Sequence, residues 1–359
     1  MEHLEPVQGL NPSRIYLTPE AEHLPSVNRA LRSLGQPDYR IVTAPAEIPP
    51  EHQNQGTLFI TSYRGQTVNK CPGSRGHLCC NYLTVDLYLG CSIGCTYCIM
   101  KSYLNFSPLT VYADPTPSLQ RIRALAQRYP QRILRVGTGE TGDSLLLDPL
   151  FELSRDLIEG VSDLPNVYLE LKTKTTHTDH LLGIPQKGNA IIAFSLNAEE
   201  IRKTEEGTSA SMEQRIEAAG RAARAGFGLA FHFDPIIRFE GWKERYLRTI
   251  EMLKKVPTDR IHWISLGTIR FTPALRDRME DRSYLFDEFI PCRDGKYRYL
   301  QPVRIQMYRW FLEQLSPVTD APIYLCMESV DVWKAVYGDL PMKIETFRDI
   351  FQPIPCHTG

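Results

Sequence analysis

Apolar runs of strand length alternate with helical stretches from residue 83 onward, and this alternation most limits the folds open to the chain. The strand-like runs are Leu83–Leu89, Ile133–Val136, Val167–Leu171, Ala190–Leu196, Leu229–Phe233 and Ile261–Leu266. The helical stretches are Leu119–Gln127, Leu150–Glu159, Met212–Ala225 and Lys243–Lys255, the third of which begins with a capping box, Ser211 and Gln214. Alternating strands and helices form parallel βαβ units, so we predict an α/β fold with a partial (β/α)6 barrel.

The segments before and after this region differ from it. Strands are predicted at Arg14–Leu17, Arg40–Val42 and Thr57–Thr61, with a helix near Ser26–Leu34, and Ile323–Leu325 is a late strand. We therefore expect a small N-terminal α/β subdomain over residues 1–70 and the barrel over 71–270. A C-terminal extension with a β-hairpin and helices covers residues 271–359.

Polar residues follow the predicted barrel strands, at the face where barrel enzymes build their active sites. They include Glu140 after the second strand, Lys172 and Lys174 after the third, and Ser195 and Asn197 after the fourth. The fifth and sixth strands end in His232, Asp234, Thr268 and Arg270. The pattern predicts a single site at this edge of the sheet.

Six of the nine cysteines lie between Cys71 and Cys98. Met1–Glu5 has neither the basic nor the apolar region of a signal peptide, so we predict a cytoplasmic protein. Clustered thiols in a reducing compartment indicate metal or redox chemistry rather than disulfides. No apolar run reaches the roughly 18 residues of a membrane span. The formal net charge of −1 means that any nucleic acid must be held by a local basic surface.

Cys91, Cys95 and Cys98 have the spacing C-x3-C-x2-C in the loop after the first predicted barrel strand. Three thiolates can hold three irons of a [4Fe–4S] cubane and leave the fourth iron open to a substrate or cofactor. The alternatives are an incomplete zinc site or three buried thiols. The spacing and the barrel context favour the cluster.

This loop in this place resembles that of the radical S-adenosylmethionine (SAM) superfamily. The resemblance implies that the open iron binds SAM and that reduction of the cluster yields a 5′-deoxyadenosyl radical. The segment from Gly137 to Glu140 resembles the superfamily's glycine-rich segment, whose glutamate contacts the SAM amino group. Further SAM contacts are implied at Lys172, Lys174, Ser195 and Asn197.

Within the superfamily, the chain is most similar to spore photoproduct lyases. The motifs that carry this likeness are Cys71-Pro72-Gly73, Cys79-Cys80, Cys95-Thr96-Tyr97-Cys98, Phe231-His232-Phe233-Asp234-Pro235, Gly241-Trp242, Ser265-Leu266-Gly267-Thr268 and Asp294-Gly295-Lys296-Tyr297-Arg298-Tyr299. The resemblance implies a lyase that reverses a thymine photolesion in damaged DNA. It also implies a flavodoxin or ferredoxin-type electron donor.

The chain departs from this family at one catalytic position. Spore photoproduct lyases carry a cysteine after the second strand that returns a hydrogen atom to the substrate radical, and Glu140-Thr141 stands in that stretch here. A phenol or a thiol is the plausible replacement. We name Tyr97 as first choice, with Tyr103 and Cys326 as alternatives.

A second group of cysteines lies outside the triad. Cys71, Cys79, Cys80 and Cys326 would suffice for a second [4Fe–4S] cluster or a structural zinc, if the late strand returns beside the N-terminal piece. Buried free thiols are the alternative, because cysteine behaves as a small hydrophobe.

An Asp-Gly turn predicts a hairpin whose second strand alternates cations with aromatic rings. We expect Lys296, Tyr297, Arg298 and Tyr299 to contact DNA, with Arg304 extending the basic surface. The alternative is an ordinary hairpin with tyrosines packed inward.

Two other functions remain open from the sequence. One is radical SAM modification of an RNA base, a peptide or a small molecule. The other is a cysteine–metal module that binds nucleic acid without catalysis, which turnover of SAM would eliminate.

Overall fold

A computed structural model of the chain describes residues 11–63, 65–74, 76–277, 279, 283–285 and 287–352. The strands are β1 (Arg14–Leu17), β2 (Arg40–Ile41), β3 (Thr57–Thr61), β4 (Val68–Lys70), β5 (Leu83–Val85), β6 (Tyr88–Leu89), β7 (Leu109–Tyr112), β8 (Leu134–Gly137), β9 (Val167–Thr173), β10 (Asn189–Ser195), β11 (Gly228–Ile236), β12 (Ile261–Thr268), β13 (Arg270–Phe271), β14 (Phe289–Pro291), β15 (Tyr297–Tyr299) and β16 (Ile323–Leu325). The helices are α1 (Pro25–Ser33), α2 (Thr116–Arg128), α3 (Asp148–Phe151), α4 (Leu153–Val161), α5 (Asp179–Leu182), α6 (Glu199–Glu205), α7 (Met212–Arg224), α8 (Trp242–Met252), α9 (Pro273–Arg276), α10 (Gln301–Leu315), α11 (Val330–Tyr337) and α12 (Arg348–Phe351). Met1–Glu5, the segment considered above for a signal peptide, lies outside the described residues.

The larger sheet is the predicted partial barrel. Its strand order is β16-β12-β11-β10-β9-β8-β5-β4, and every neighbouring pair from β5 to β16 is parallel. Five of the six predicted barrel strands are present as β8 to β12, the first is present only in part as β5, and β16 extends the sheet as the predicted late strand. These strands are continuous apolar runs because helices cover the outer face. Helix α7 begins with the predicted capping box between Ser211 and Gln214.

A smaller sheet precedes and borders the barrel, with the order β2-β1-β3-β7-β6. Helix α1 contacts α3 and buries Val27, Ala30 and Leu31 in the common hydrophobic core, and Pro25 stands at its first turn, where a missing N–H costs nothing. Two of its strands, β6 and β7, come from residues beyond 70. The domain boundaries of the sequence analysis stay predictions.

The predicted strand Leu83–Leu89 is wrong as a single element. The chain leaves the barrel after Val85, turns at Asp86, and pairs as β6 with β7 in the smaller sheet. The Asp86 carboxylate accepts a hydrogen bond from the Thr141 hydroxyl at 3.0 Å, which fixes a polar turn inside an apolar run. The triad loop therefore follows β6 and not a barrel strand.

The predicted helix Leu150–Glu159 is also interrupted. Glu152, at φ 52°, separates α3 from α4. The buried Asp148 carboxylate accepts hydrogen bonds from the Tyr88 hydroxyl at 2.8 Å and from the Ser154 N–H at 2.9 Å. Satisfying this carboxylate uses an N–H at the start of α4, so the helix restarts there.

The C-terminal extension contains the predicted hairpin, in which β14 and β15 pair antiparallel and Gly295 takes φ 77° at the turn. Strand β13 completes this small sheet. Among the described residues, no helix is both long and apolar enough to cross a membrane.

Candidate active site

The carboxyl ends of the barrel strands open into two adjoining cavities. The first, the barrel cavity, has a volume of about 250 Å³. The second, the loop cavity, has a volume of about 550 Å³ and is bordered by the triad loop and residues 139–143. The two cavities share Cys95, Cys98, Met100, Glu140, Lys172, Lys174 and Ser195. Most of the polar strand-end residues predicted to form one site are therefore brought together.

The triad loop presents its cysteines to these cavities. Cys95 and Cys98 line both cavities, and Cys91 lines the loop cavity. All three are free thiols. Burial raises the pKa of Cys95 to about 12, although Lys174 works to lower it. Iron is bound by thiolates, so these cysteines must lose their protons when they bind it.

The triad thiols could serve either a cubane or a single ion. Among the described residues, no group of three or more His, Cys, Asp or Glu side chains could hold one metal ion. A cubane places each thiolate on its own iron, whereas zinc takes all its ligands on one ion. The three free thiols around the loop cavity match the ligand set of a cubane, and cluster binding stays a prediction.

Glu140 and Lys172, two of the implied SAM contacts, line both cavities, and their contact with SAM stays a prediction. A Cβ on Gly139 would lie 2.9 Å from the Lys172 Cβ, so only glycine lets these two strand ends approach each other. Although burial works to lower it, Glu140, Glu170 and Asp234 raise the pKa of Lys172 above its usual value. The cavities thus contain a lysine that stays charged beside a carboxylate.

The other three implied SAM residues are placed differently. Lys174 and Ser195 line both cavities. Asn197 is fully buried behind them, where its side-chain oxygen accepts a hydrogen bond from the Tyr246 hydroxyl at 2.6 Å. Its amide nitrogen donates to the carbonyl of Pro235 at 3.2 Å. Asn197 therefore supports the wall, and its contact with SAM stays a prediction.

The two candidate tyrosines differ in exposure. Tyr97 is 6% exposed and lines the barrel cavity, and its hydroxyl donates to the Glu206 carboxylate. Tyr103 is 52% exposed and is absent from the lining of both cavities. The Lys296 ammonium lies 6.0 Å from the Tyr103 ring.

The second group of cysteines is gathered beside the barrel cavity. Leu78 forms a β-bridge with Glu328, which brings the segment 71–80 next to the end of β16. Cys71, Cys80 and Cys326 line the barrel cavity. Hydrogen bonds with Cys71 and Cys80 raise the pKa of the Cys79 thiol, and the hydrogen bond with Cys79 lowers the pKa of Cys80. Metal binding by these four residues stays a prediction.

The hairpin residues predicted to contact DNA have partners inside the protein. The Arg298 guanidinium makes two 2.7 Å hydrogen bonds to the Asp294 carboxylate, and Lys296 donates to Ser74 at 2.9 Å. Tyr297 stacks on Phe271. The two remaining members, Tyr299 and Arg304, are buried against Phe289 and Glu328 respectively.

Residues 205–208 were missed by the sequence analysis, although they contact the triad loop. Glu205-Glu206 reads in the sequence as the solvated end of a short helix. In the structure both carboxylates are fully buried. A charged pair at a helix end carries no sequence signal of burial, because its contacts with Thr96 and Tyr97 of the triad loop span 109 residues.

A partial (β/α)6 barrel with a three-cysteine loop at its strand ends defines a radical SAM protein. Residues 78–284 match the family model of spore photoproduct lyase, which is more than half of the chain. The chain belongs to the spore photoproduct lyase family.

Two curated relatives and one solved structure illustrate the likeness. The spore photoproduct lyase of Bacillus subtilis (strain 168) is 34% identical over 195 residues, which cover 52% of this chain and 56% of that protein. The one of Geobacillus sp. (strain Y412MC61) is 30% identical over 176 residues, covering 48% and 50%. The chain therefore spans about half the length of these relatives. A spore photoproduct lyase mutant with bound AdoMet and dinucleoside spore photoproduct superposes with a TM-score of 0.76 at 21% identity, covering 88% of this chain and 98% of that one.

Proposed function

We propose that this protein is a radical SAM lyase that repairs a thymine photolesion in DNA. The observation that carries the proposal is the convergence of the triad cysteines with Glu140, Lys172, Lys174 and Ser195 around two adjoining cavities. The similarity of this protein to two spore photoproduct lyases, and to a solved spore photoproduct lyase with AdoMet and dinucleoside spore photoproduct bound, supports the proposal.

Cys91, Cys95 and Cys98 would hold a [4Fe–4S] cluster. When bound, the cluster and SAM supply a radical that abstracts hydrogen from the substrate. Glu140 offers a carboxylate to the SAM amino group, and Lys172 and Lys174 offer cations to its carboxylate. Ser195 offers a hydroxyl to the ribose.

The barrel cavity extends past the shared residues to Asp234, Arg270 and Cys326, and we assign this end to the lesion. Arg270 is paired with Asp234 at 3.3 Å, so both hydrogen-bond donors and acceptors face a base. A lesion in a duplex must leave the base stack to reach such an enclosed position. A flavodoxin or ferredoxin-type donor completes the proposal and agrees with the predicted cytoplasmic location.

The test is anaerobic reconstitution with iron and sulfide, followed by reduction with SAM and UV-damaged DNA. The wild-type protein should form 5′-deoxyadenosine and restore two intact thymines within the DNA. Replacing Cys91, Cys95 and Cys98 together with Ala should abolish both products while circular dichroism remains unchanged. Cys292→Ala, outside both cavities, is the matched control.

The products separate the alternatives. Cleavage of SAM without loss of the lesion would point to another radical SAM substrate. DNA binding without SAM cleavage in a fully loaded protein would indicate a non-catalytic module.

A further inference from the structure

The Glu206 carboxylate is fully buried beneath the triad loop, in the connection between α6 and α7. A buried carboxylate is costly unless charged and hydrogen-bonding partners compensate it. Its donors are the Tyr97 hydroxyl, the Lys174 ammonium at 3.0 Å and the Asn197 amide at 3.4 Å on one oxygen, and the Arg215 guanidinium at 2.5 Å and the Ser209 hydroxyl at 3.3 Å on the other. Two of these donors are cations, so Glu206 is held in its ionised form.

The backbone around Glu206 forms hydrogen bonds with the triad loop at two points. The Thr96 N–H donates to the Glu205 carbonyl at 2.8 Å, and the Thr208 N–H donates to the Ile93 carbonyl at 3.0 Å. Gly207, at φ 44°, approaches so closely that a Cβ there would lie 2.0 Å from the Ile93 carbonyl oxygen. Residues 205–208 are therefore fixed to the loop on both sides of Cys95.

The charges in this region are few and enclosed. Arg215 is fully buried and also donates to the Ser195 carbonyl at 2.6 Å, and the Lys174 side chain is 16% exposed. Lys174 lines both cavities together with Cys95 and Cys98. Charges in a medium of low dielectric act strongly on a neighbouring redox centre, and the potential of an iron–sulfur cluster depends on the net charge around it.

We propose that Glu206 is a positioning residue that holds Tyr97 and Lys174 at the cluster and, through its negative charge, keeps the reduction potential of the cluster low. The inference rests on the proposed function, because it requires the cluster. An anion beside the cluster opposes the addition of an electron, and a cation favours it. Glu206 and Lys174 should therefore shift the potential in opposite directions.

The experiment is an anaerobic redox titration of reconstituted protein without SAM, followed by electron paramagnetic resonance. Glu206→Gln keeps the shape and a hydrogen-bond acceptor but removes the charge, so its midpoint potential should be higher than that of the wild type. Lys174→Met removes the cation, so its potential should be lower. Glu213→Gln, an exposed residue on α7, is the matched control and should leave the potential unchanged.

Each outcome decides the inference. Unchanged potentials in Glu206→Gln and Lys174→Met, with iron content equal to the wild type, would overturn it and leave the proposed function intact. Loss of iron in both variants, with Glu213→Gln fully loaded, would reduce Glu206 to a structural role and overturn it as well. A wild-type protein that binds no cluster would instead refute the proposed function.

Discussion

Tyr97 combines three properties that a hydrogen-atom donor needs at this site. It lies between two of the triad cysteines, lines the barrel cavity and carries a phenol, whose O–H bond gives up a hydrogen atom more readily than a glutamate or a threonine does. Its hydroxyl donates a hydrogen bond to the Glu206 carboxylate, so this hydrogen bond must break before the hydrogen atom can pass to a substrate radical. Cys326 lines the same cavity and is the competing donor.

Tyr97→Phe removes only the hydroxyl. We expect SAM cleavage to continue and the yield of repaired thymine to fall, because the proposed hydrogen-atom donor to the substrate radical is removed. The measurement is product analysis in deuterated water, where an exchangeable O–D or S–D donor leaves deuterium in the repaired base. Tyr103→Phe is the exposed control, and Cys326→Ala tests the competitor. A full yield of labelled product from Tyr97→Phe would reassign the donor.

The elements that could be predicted from the sequence are those whose partners lie within the same pattern. Strand β10, Asn189–Ser195, is an apolar run between helices, and its environment is implied by the run itself. The break at Asp86 could not be predicted, because it depends on Thr141, which is 55 residues away. Most of the predicted strand-end residues line the two cavities, because they follow barrel strands that the same pattern predicts.

The hairpin shows the converse case. Cations and aromatic rings alternate along its second strand in the sequence, but the sequence does not show which side chains pack against the protein. The cation of Arg304 is neutralised by Glu328, and Tyr299 stacks on Phe289. Phe289 lies on the other strand of the hairpin and Glu328 lies beyond it, so the alternation along β15 alone could not distinguish a packing face from a binding face.

Substitutions at Arg298 and Arg293 should therefore differ in their effects on stability and on DNA binding. Arg298→Met removes two 2.7 Å hydrogen bonds from the Asp294 carboxylate, which keeps the Lys296 ammonium at 3.9 Å. Because the Arg298 and Asp294 side chains are 2% and 6% exposed, the change should lower the free energy of unfolding by about 1–3 kcal/mol. Arg293→Met, at the exposed turn, should change stability by less than about 0.5 kcal/mol and reduce the salt slope of DNA binding by about one per lost phosphate contact. Urea unfolding and fluorescence anisotropy at several salt concentrations measure these effects. Normal stability with weakened DNA binding in Arg298→Met would mean that this arginine faces DNA.

The second group of cysteines leads to a prediction about the iron content of the protein. If Cys71, Cys79, Cys80 and Cys326 bind a cluster, reconstituted wild-type protein should hold about eight irons and the triad-to-Ala variant about four. Iron and zinc analysis of both proteins decides it. A triad variant with neither metal would identify these four residues as free thiols.

Two buried carboxylates, Glu170 and Glu206, are held ionised by positively charged partners. Burial works to raise the pKa of Glu170, but His232 and Arg135 bring it below its usual value. Burial acts in the same way on Glu206, and Lys174 and Arg215 overcome it to lower its pKa. Such groups join strands that are far apart in sequence, so the barrel depends on their charge state.

This arrangement sets the response of the protein to acid. A carboxylate whose pKa is lowered by folding contributes stability that is fully present above its unfolded pKa, about 4.3 for glutamate, and is lost as the pH falls toward its folded value. The free energy of unfolding should therefore decrease with falling pH below about 4.3, and less steeply in Glu206→Gln than in the wild type. Urea unfolding at a series of pH values measures the slope. Equal slopes in the two proteins would show that Glu206 is not ionised in the folded state.

The crossing of the chain from the barrel sheet to the smaller sheet at Asp86 also bears on synthesis at the ribosome. By residue 112, every strand of the smaller sheet has been made, whereas the barrel sheet has only β4 and β5. Because N-terminal units form first during translation, the smaller sheet can assemble and anchor β6 before the strands that close the cavities exist. The nascent chain would then display its three cysteines openly, at the stage when iron delivery meets the least obstruction.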